Sequence, residues 1–305
     1  MNRSERKGSM NYDFYTAPPD YGSYRQKLWE LKREFPFLQT GTIGRSLLGR
    51  NIYALTLGAS SPCTLFVGGI QAQDWLTCSL LVRFLEHLCL SYRQQTSIAG
   101  SLVNGSLMNR GVTVIPLANP DGAAIAMGGP STAGNMAPRL EQMLSANPAP
   151  WNANARGVDL CRNFDASFLD RKQLETEEGI TGPGPRWYGG AFPHSEPESR
   201  ALISLLRGRR VESLYDFQMD GESIQGENGP YTPAQSRYIA EVLSQVSGYR
   251  ILREPDASGG LKDYFIERLR RPAFTIRAGC GPSSISALEG LYDQLMELMV
   301  VGAVL

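Results

Sequence analysis

Residue types that commonly carry out catalysis are unevenly represented in this chain of 305 residues. Histidine, which serves most often as an acid, a base or a metal ligand, occurs only as His87 and His194. The five cysteines have no paired spacing, so they do not resemble a disulfide framework. A nucleophilic cysteine would need a neighbouring base, and neither histidine is placed to supply one. The scarcity of histidine therefore limits the chemistry that the chain can perform.

The elements that would position any site alternate between strands and helices. Continuous apolar runs at 63–70 and 112–118 predict buried strands, and an apolar stripe predicts a long helix over 74–92. This alternation predicts one α/β domain, a three-layer αβα sandwich with a mixed, mostly parallel central sheet and helices on both faces. Residues 1–20 are rich in polar side chains and predict a flexible N-terminal arm, so the domain is expected to span 21–305.

Loops at the ends of such strands are where binding and catalytic residues collect. Five segments are the places to search for a site: 68–74, 119–122, 158–165, 218–222 and 277–281. A further stretch, 122–155, is rich in Gly, Pro, Asn and Ala and has no clear period. It predicts a long functional or disordered loop that contains one short helix over 136–144.

The composition excludes several classes of protein. Thirty basic and 30 acidic residues give a formal charge of zero, whereas a surface that binds nucleic acid needs an excess of basic side chains. No apolar run reaches the ~20 residues of a membrane helix. The polar start of the chain lacks the apolar core of a secretion signal. We therefore expect no nucleic-acid partner, no membrane partner and a cytoplasmic location.

Several segments carry motifs that occur together in one protein family. In chain order they are GRSLLGRNI at 44–52, NPDG at 119–122, RGVDLCRNF at 156–164, YGG at 188–190 with SEPE at 195–198, and FTI at 274–276. Together they resemble the motifs of the zinc carboxypeptidases, the M14 peptidases, in order and spacing from about Gly44 to Gly281. The branch most resembled is the bacterial one that acts on γ-D-glutamyl-diaminopimelate stem peptides of the cell wall.

The resemblance implies a catalytic zinc ion held by two histidines and a glutamate, with an open position for water. In the family the first two ligands form an H-x-x-E motif, where this chain has Gln71 and Asp74. Gln218 stands at the second histidine, and Arg277 stands at the glutamate that acts as general base. All four residues that the resemblance assigns to the reaction therefore differ from the family pattern.

These substitutions predict that neither the metal site nor the catalytic site is intact. A carboxamide oxygen is a poor zinc ligand beside imidazole or thiolate. An arginine side chain stays protonated, so Arg277 cannot act as a base. Zinc, the cofactor that the resemblance implies, is therefore expected to be absent. We expect Arg277 to form an ion pair with Asp74, with Gln71 and Gln218 hydrogen-bonded around the pair.

Ligand binding can survive the loss of catalysis. The resemblance assigns Arg162 to the carboxylate of the substrate, and the planar fork of an arginine suits that contact. The alternative for Arg162 is a structural ion pair with Asp159 or Asp165. Cys161 replaces an asparagine of the family, and Arg156 is a candidate for the arginine that stabilises the oxyanion.

The sequence therefore predicts a zinc-less, catalytically inactive metallocarboxypeptidase homologue, a pseudopeptidase that binds a peptide C-terminus or a cell-wall stem peptide with a free carboxylate. Two alternatives remain open. One is an active M14-type metallopeptidase that hydrolyses peptides with an unusual metal site, and the other is a structural or interaction protein with a vestigial pocket. The loop that carries a mobile tyrosine in the family corresponds to residues 255–260, which contain no tyrosine.

Overall fold

A computed structural model describes residues 14–102, 105, 107, 110–219, 221–253, 259–279 and 284–305. The strands are β1 Gln39–Arg45, β2 Asn51–Gly58, β3 Cys63–Gly68, β4 Ser97–Ile98, β5 Ser101–Leu102, β6 Gly111–Ile115, β7 Val211–Gln218, β8 Gly221–Gln225, β9 Arg250–Leu252 and β10 Ala273–Gly279. The helices are α1 Tyr21–Glu34, α2 Trp75–Gln94, α3 Pro120–Gly128, α4 Ala137–Ala146, α5 Phe168–Glu177, α6 Pro197–Gly208, α7 Gln235–Ser247, α8 Leu261–Leu269 and α9 Leu288–Val304.

Eight of these strands form one sheet, in the order β1-β2-β6-β3-β7-β10-β8-β9. The four central strands β6, β3, β7 and β10 are parallel. Towards one edge, β2 and β1 each run antiparallel to their inner neighbour, and towards the other edge β8 runs antiparallel to β10 and parallel to β9. The sheet is therefore mixed, and its parallel strands present their carboxyl ends at one edge, as the sequence predicts.

The strands β3 and β6 are largely apolar because helices cover both faces of the sheet. Every residue of β3 and of β6 is buried. One core joins the sheet to α1, α2, α7 and α9, and a second core joins its other face to α6 and α8. This arrangement is the predicted three-layer sandwich, and the prediction of fold class is confirmed.

Residues 120–128 differ from the prediction of a long loop, because they form α3, whereas α4 corresponds to the short helix predicted over 136–144. Asn119 caps α3 by accepting a hydrogen bond from the Gly122 N–H at 2.9 Å, and Pro120 occupies the first turn, where its missing N–H costs nothing. The two helices pack on a third apolar cluster that includes Ile125 and Leu140. Burial and capping therefore build helices where the sequence lacks a clear period.

The N-terminal segment is packed on the domain from Phe14 onward. Phe14 is 3% exposed in the first core, and the Tyr15 hydroxyl donates to the Glu86 carboxylate of α2. Asp20 then caps α1 by accepting from the Ser23 N–H at 2.7 Å. The rest of the predicted arm, residues 1–13, lies outside the described residues.

Within the described part of the chain, none of the helices combines the length and the apolar character that a bilayer-spanning segment needs.

Candidate functional site

A cavity of about 270 Å³ opens at the carboxyl ends of β7 and β10 and is called the central cavity below. Sheet register explains why its strand residues meet, since Gln218 pairs with Arg277 and Asp216 pairs with Thr275 on the adjacent parallel strand. The lining residues are Gln71, Asn152, Asp159, Cys161, Arg162, Arg186, Trp187, Asp216, Gln218, Gly260, Leu261, Lys262, Asp263, Thr275 and Arg277. Five of the seven residues that the sequence singles out thus line one cavity.

Gln71 and Gln218 lie side by side in the central cavity. Gln71 Nε2 donates to Gln218 Oε1 at 3.3 Å, and Gln71 Oε1 accepts from Asn152 Nδ2 at 3.0 Å. Gln218 Nε2 in turn donates to Asp216 Oδ2 at 2.8 Å. The oxygens of both glutamines therefore accept hydrogen bonds from neighbouring amides. The predicted proximity of the two glutamines is present in the structure.

Asp74 lies immediately before α2 and is 4% exposed. Its backbone oxygen accepts from Thr77, and its own N–H donates to the Gln71 oxygen, which places it in the tight turn that follows β3. Among the residues described, the cavity lining includes Gln71 but not Asp74. The predicted Asp74–Arg277 ion pair stays a prediction.

Asp216 places a buried carboxyl in the cavity that sequence analysis missed. It is 2% exposed, and its burial raises the pKa of the carboxyl to about 7, while the hydrogen bond from Gln218 and the charges of Arg277 and Lys262 act in the opposite direction. The nearby carboxylate of Asp263 raises this pKa further. The signal was available, because residues 216 and 218 alternate onto the same face of β7.

Arg162 belongs to a short 3₁₀ turn, Leu160–Arg162, which Asp159 caps by accepting from the Cys161 N–H. The Arg162 Nε lies 3.4 Å from Asp159 Oδ2, so the structural ion pair that the sequence left as an alternative is present. The side chain also lines the central cavity. A ligand that contacts Arg162 in the cavity therefore shares its guanidinium with the carboxylate of Asp159. Asp165, the other candidate partner, pairs with Arg268 at 2.9 Å.

Cys161 lines the cavity beside Gln218, whose Nε2 lies 3.8 Å from the sulfur. Burial, followed by the charges of Asp159, Asp216 and Asp74, raises the pKa of the thiol well above its usual value. A protonated thiol is a weak nucleophile. Cys161 therefore lines the cavity without acting as a nucleophile. Cys280 lies outside the described residues.

Trp187 and Arg186 complete the cavity wall, and no motif in the sequence pointed to Arg186. The indole of Trp187 packs against both Arg162 and Arg186, with each guanidinium carbon 4.6 Å from the ring centroid. The Trp187 N–H donates to Asp159 Oδ2 at 3.2 Å. Gly189, two residues on, passes so close to the Arg162 backbone that a Cβ there would lie 2.5 Å from the Arg162 oxygen.

Arg156, a predicted site residue, and the two histidines lie elsewhere. Arg156 is outside the lining of the cavity and pairs with Glu196, with 3.4 Å between the charged atoms. His87 contacts the Tyr292 hydroxyl, and His194 accepts a hydrogen bond from the Asp165 N–H. Residues 254–258, most of the loop compared with the family's mobile tyrosine, lie outside the described residues.

The side chains at the four family positions do not fit a zinc ion. Zinc in proteins takes imidazole, thiolate or carboxylate ligands, whereas two of these positions are carboxamides whose oxygens already accept hydrogen bonds. The fourth is the cation Arg277, which lines the same cavity. No cluster of three or more His, Cys, Asp or Glu side chains suited to a metal occurs in the described ranges. The lining combines four cationic side chains with three aspartates, so the cavity presents charged and hydrogen-bonding groups of both signs.

Comparison with known proteins matches residues 24–292 to the peptidase M14, zinc carboxypeptidase family. Gamma-D-glutamyl-L-diamino acid endopeptidase 1 of Lysinibacillus sphaericus is 31% identical over 300 residues, which cover 97% of this chain and 73% of that protein.

Two solved structures share the fold at 20% identity. Carboxypeptidase A from Helicoverpa armigera has a TM-score of 0.71 and covers 95% of this chain and 73% of its own. Murein-tripeptide amidase MpaA from Escherichia coli O157 has a TM-score of 0.53 and covers 85% of this chain and 91% of its own. At this level of identity, the likeness shows a common fold.

Proposed function

The chain belongs to the zinc carboxypeptidase family of M14 peptidases, and we propose that it is a member without zinc and without peptidase activity that binds peptides through a free carboxylate. One observation carries this proposal. The amides of Gln71 and Gln218 are hydrogen-bonded to each other and to their neighbours in the cavity that Arg277 also lines.

Charge is the first argument against a bound zinc ion. A guanidinium about 5 Å from a dication, at an effective dielectric constant of about 20, contributes roughly 6 kcal/mol of repulsion. The two glutamines offer no compensating charge, and Asp74 is the only anionic group at the three ligand positions that the resemblance implies. The charges at these four positions therefore disfavour a metal cation.

The missing base is the second argument. Hydrolysis of a peptide bond needs a group that accepts the proton of the attacking water, and Arg277 stays protonated. Asp216 has a pKa raised to about 7, but it is 2% exposed and accepts a hydrogen bond from Gln218. Asp216 is therefore a buried hydrogen-bond acceptor for Gln218 beside Arg277 and Lys262.

The ligand class follows from the cations of the cavity. Arg162, Arg186, Lys262 and Arg277 line it, and arginine binds carboxylates through paired hydrogen bonds. The relative from Lysinibacillus sphaericus is named for γ-D-glutamyl-L-diamino acid peptides, and MpaA is named for a murein tripeptide. We therefore propose short γ-D-glutamyl peptides that end in a diamino acid as the ligands of this protein.

Metal analysis combined with reversion tests the loss of zinc. Wild-type protein purified without added metal is expected to contain well under one zinc ion per chain and to release no amino acid from peptides. Restoring the family residues with Gln71→His, Asp74→Glu, Gln218→His and Arg277→Glu is expected to restore zinc uptake.

The matched control is the triple variant that keeps Arg277, which should bind zinc more weakly than the fourfold variant because the guanidinium remains. One zinc ion per wild-type chain, with hydrolysis that a chelator stops, would establish the active metallopeptidase instead.

Thermal unfolding with added peptide tests the binding function. L-Ala-γ-D-Glu-L-Lys is expected to raise the melting temperature saturably, because a ligand that binds only the folded state stabilises it. Arg162→Gln should abolish most of the shift, whereas Arg237→Gln, on an exposed helix face, should leave it unchanged. Absence of any shift with wild-type protein would favour a structural role with a vestigial pocket.

A further inference from the structure

A groove of about 820 Å³ adjoins the central cavity. The end of α4 lines one side of it, and residues 178–184 line the other. The groove and the cavity share two lining residues, Arg186 and Trp187. The cavity alone is slightly smaller than the ~300–1,000 Å³ of sites that enclose a drug-sized ligand. A ligand longer than one terminal residue would therefore leave the cavity past these two side chains.

Trp187 is held in an unusual conformation at this junction. Its φ of 77° lies in the left-handed region, which is rare for a bulky residue. The backbone N–H is tied to Asp159 Oδ2, and the indole remains 41% exposed. Residues in strained backbone conformations cluster at functional sites. The contacts that this conformation allows Trp187 to make are therefore candidates for a functional role.

Trp187 supports two guanidinium groups, and they differ in their other contacts. Arg162 has the carboxylate of Asp159 3.4 Å from its Nε. Arg186 packs on the indole, and among the described residues its buried Nε has no hydrogen-bond partner. Because each guanidinium carbon is 4.6 Å from the same ring centroid, the two groups can be no farther apart than twice that distance.

We propose that Arg186 is a second carboxylate-binding residue, positioned by Trp187 at the junction of the cavity and the groove. The site then takes peptides with two carboxylates, a terminal one at Arg162 and an internal one at Arg186, and the rest of the peptide runs into the groove. This inference rests on the proposed function, because it assumes that a peptide carboxylate enters the cavity. It adds the internal carboxylate as the feature that the site selects.

The α-carboxylate of a γ-linked glutamate has the required chemistry. A γ linkage uses the side-chain carboxyl for the peptide bond, so the α-carboxylate stays free inside the chain. An α-linked peptide of the same composition places its free carboxylate at the end of a side chain instead. Guanidinium carbons separated by no more than twice 4.6 Å are close enough to contact two carboxylates on neighbouring residues.

Calorimetric titration of two matched peptides tests the inference. The first is L-Ala-γ-D-Glu-L-Lys, and the second differs only in having a carboxamide in place of the glutamyl α-carboxylate. Wild-type protein is expected to bind the first about 10-fold more tightly, the effect of one charge-assisted hydrogen-bonded contact. Arg186→Gln should remove this preference and bind both peptides as the wild type binds the carboxamide.

Variants of Trp187 test its positioning role. Trp187→Ala should lose the preference for the carboxylate because Arg186 is no longer held, whereas Trp187→Phe should retain most of it by keeping an aromatic face. Arg237→Gln is the control and should retain the full preference. Circular dichroism establishes that each variant is folded before titration.

The outcomes separate the inference from the proposed function. If Arg186→Gln keeps the preference, or weakens the binding of both peptides equally, Arg186 is not a second carboxylate-binding residue. The proposal of peptide binding then still stands. If the wild type binds both peptides with equal affinity, the same conclusion follows. If the wild type binds neither peptide, the proposed function itself fails and the inference fails with it.

Discussion

Two buried polar regions share the segment 151–163, and they differ in how many of their buried polar atoms have hydrogen-bond partners in the protein. Asn154 belongs to the first, called here the entry network, with Arg50, Asp121, Glu196 and Glu198. Asn152 belongs to the second, the central cavity. Residues of the entry network lie in or beside the sequence motifs that match the family, whereas the central cavity contains three of the four substituted positions.

Every acidic group of the entry network has partners within the chain. Asp121 accepts from Arg50 Nη1 at 2.6 Å and from the Leu48 N–H at 2.7 Å. Asn154 Nδ2 donates to both Glu196 and Glu198, at 2.8 and 3.2 Å. These contacts tie the turn after β1 to the starts of α3 and α6. The motifs that carry the family resemblance therefore hold the loops in place.

In the central cavity, by contrast, several buried polar atoms lack hydrogen-bond partners in the part of the chain that the structure describes. Asn152 Oδ1, Asp216 Oδ1, Arg162 Nη1 and Arg186 Nε are all buried without a hydrogen-bond partner among the described residues. Buried polar atoms in this state cost free energy. The comparison teaches that the retained motifs serve the fold, whereas the substituted positions belong to a region that the chain alone does not satisfy.

The largest effect on stability is expected in the entry network. Asp121→Ala should lower the free energy of unfolding by about 3 kcal/mol, because it leaves the Leu48 N–H and the Arg50 guanidinium without their acceptor. Urea denaturation measures the loss. Asp170→Ala, on the exposed face of α5, is the control and should cost less than about 0.5 kcal/mol. A loss below about 1 kcal/mol for Asp121→Ala would remove the distinction between the two regions.

One buried carboxyl in each region should make stability depend on pH. Burial raises the pKa of Asp216 and of Glu198 to about 7. The folded state then keeps a proton that the unfolded chain has released, so this stabilisation is full below pH ~4 and disappears as the pH rises to about 7. Each group should contribute a decline of about 2 kcal/mol between pH 5 and pH 8.

Asp216→Asn and Glu198→Gln should each flatten part of that decline, measured by urea denaturation at a series of pH values. Asp170→Asn should leave the slope unchanged. If Asp216→Asn has the wild-type slope, the carboxyl is ionised throughout this range and its burial is compensated by Arg277 and Lys262.

A smaller effect is expected from the amides of the central cavity. Gln71→Ala removes the neutral hydrogen bonds to Gln218 and Asn152 and should cost about 1 kcal/mol of unfolding free energy. Gln94→Ala, at the exposed end of α2, should be nearly neutral. A cost as large as that of Asp121→Ala would show that the cavity, like the entry network, is built for stability.

The smallest effect is expected for Arg156. This side chain is 44% exposed and pairs with Glu196, which also accepts hydrogen bonds from Asn154 and Ser195. Arg156→Gln should change the free energy of unfolding by less than about 1 kcal/mol and peptide affinity by less than twofold. Calorimetric titration checks the second value, and a large loss of affinity would restore the sequence-based prediction that Arg156 contacts substrate.

The fold and the substituted positions could be predicted because their signals are local. Apolar runs such as 63–70 identify buried strands, and motifs such as 156–164 keep their spacing whatever surrounds them. The short helix predicted over 136–144 is present as α4, whereas α3 was missed because capping by Asn119 and packing on a third core stabilise it, and neither appears as a hydrophobic period.

The amino-acid sequence by itself determined the fold class, the family resemblance and the loss of histidine at the two expected positions. Only the tertiary structure decided which charges face one another. It placed Asp216 near Arg277 and Lys262, paired Arg162 with Asp159, and brought Arg186 and Trp187 to the cavity. The physical reason is that strand register and loop packing set these contacts between segments distant in the chain, whereas periodicity and motifs report only on neighbours in sequence.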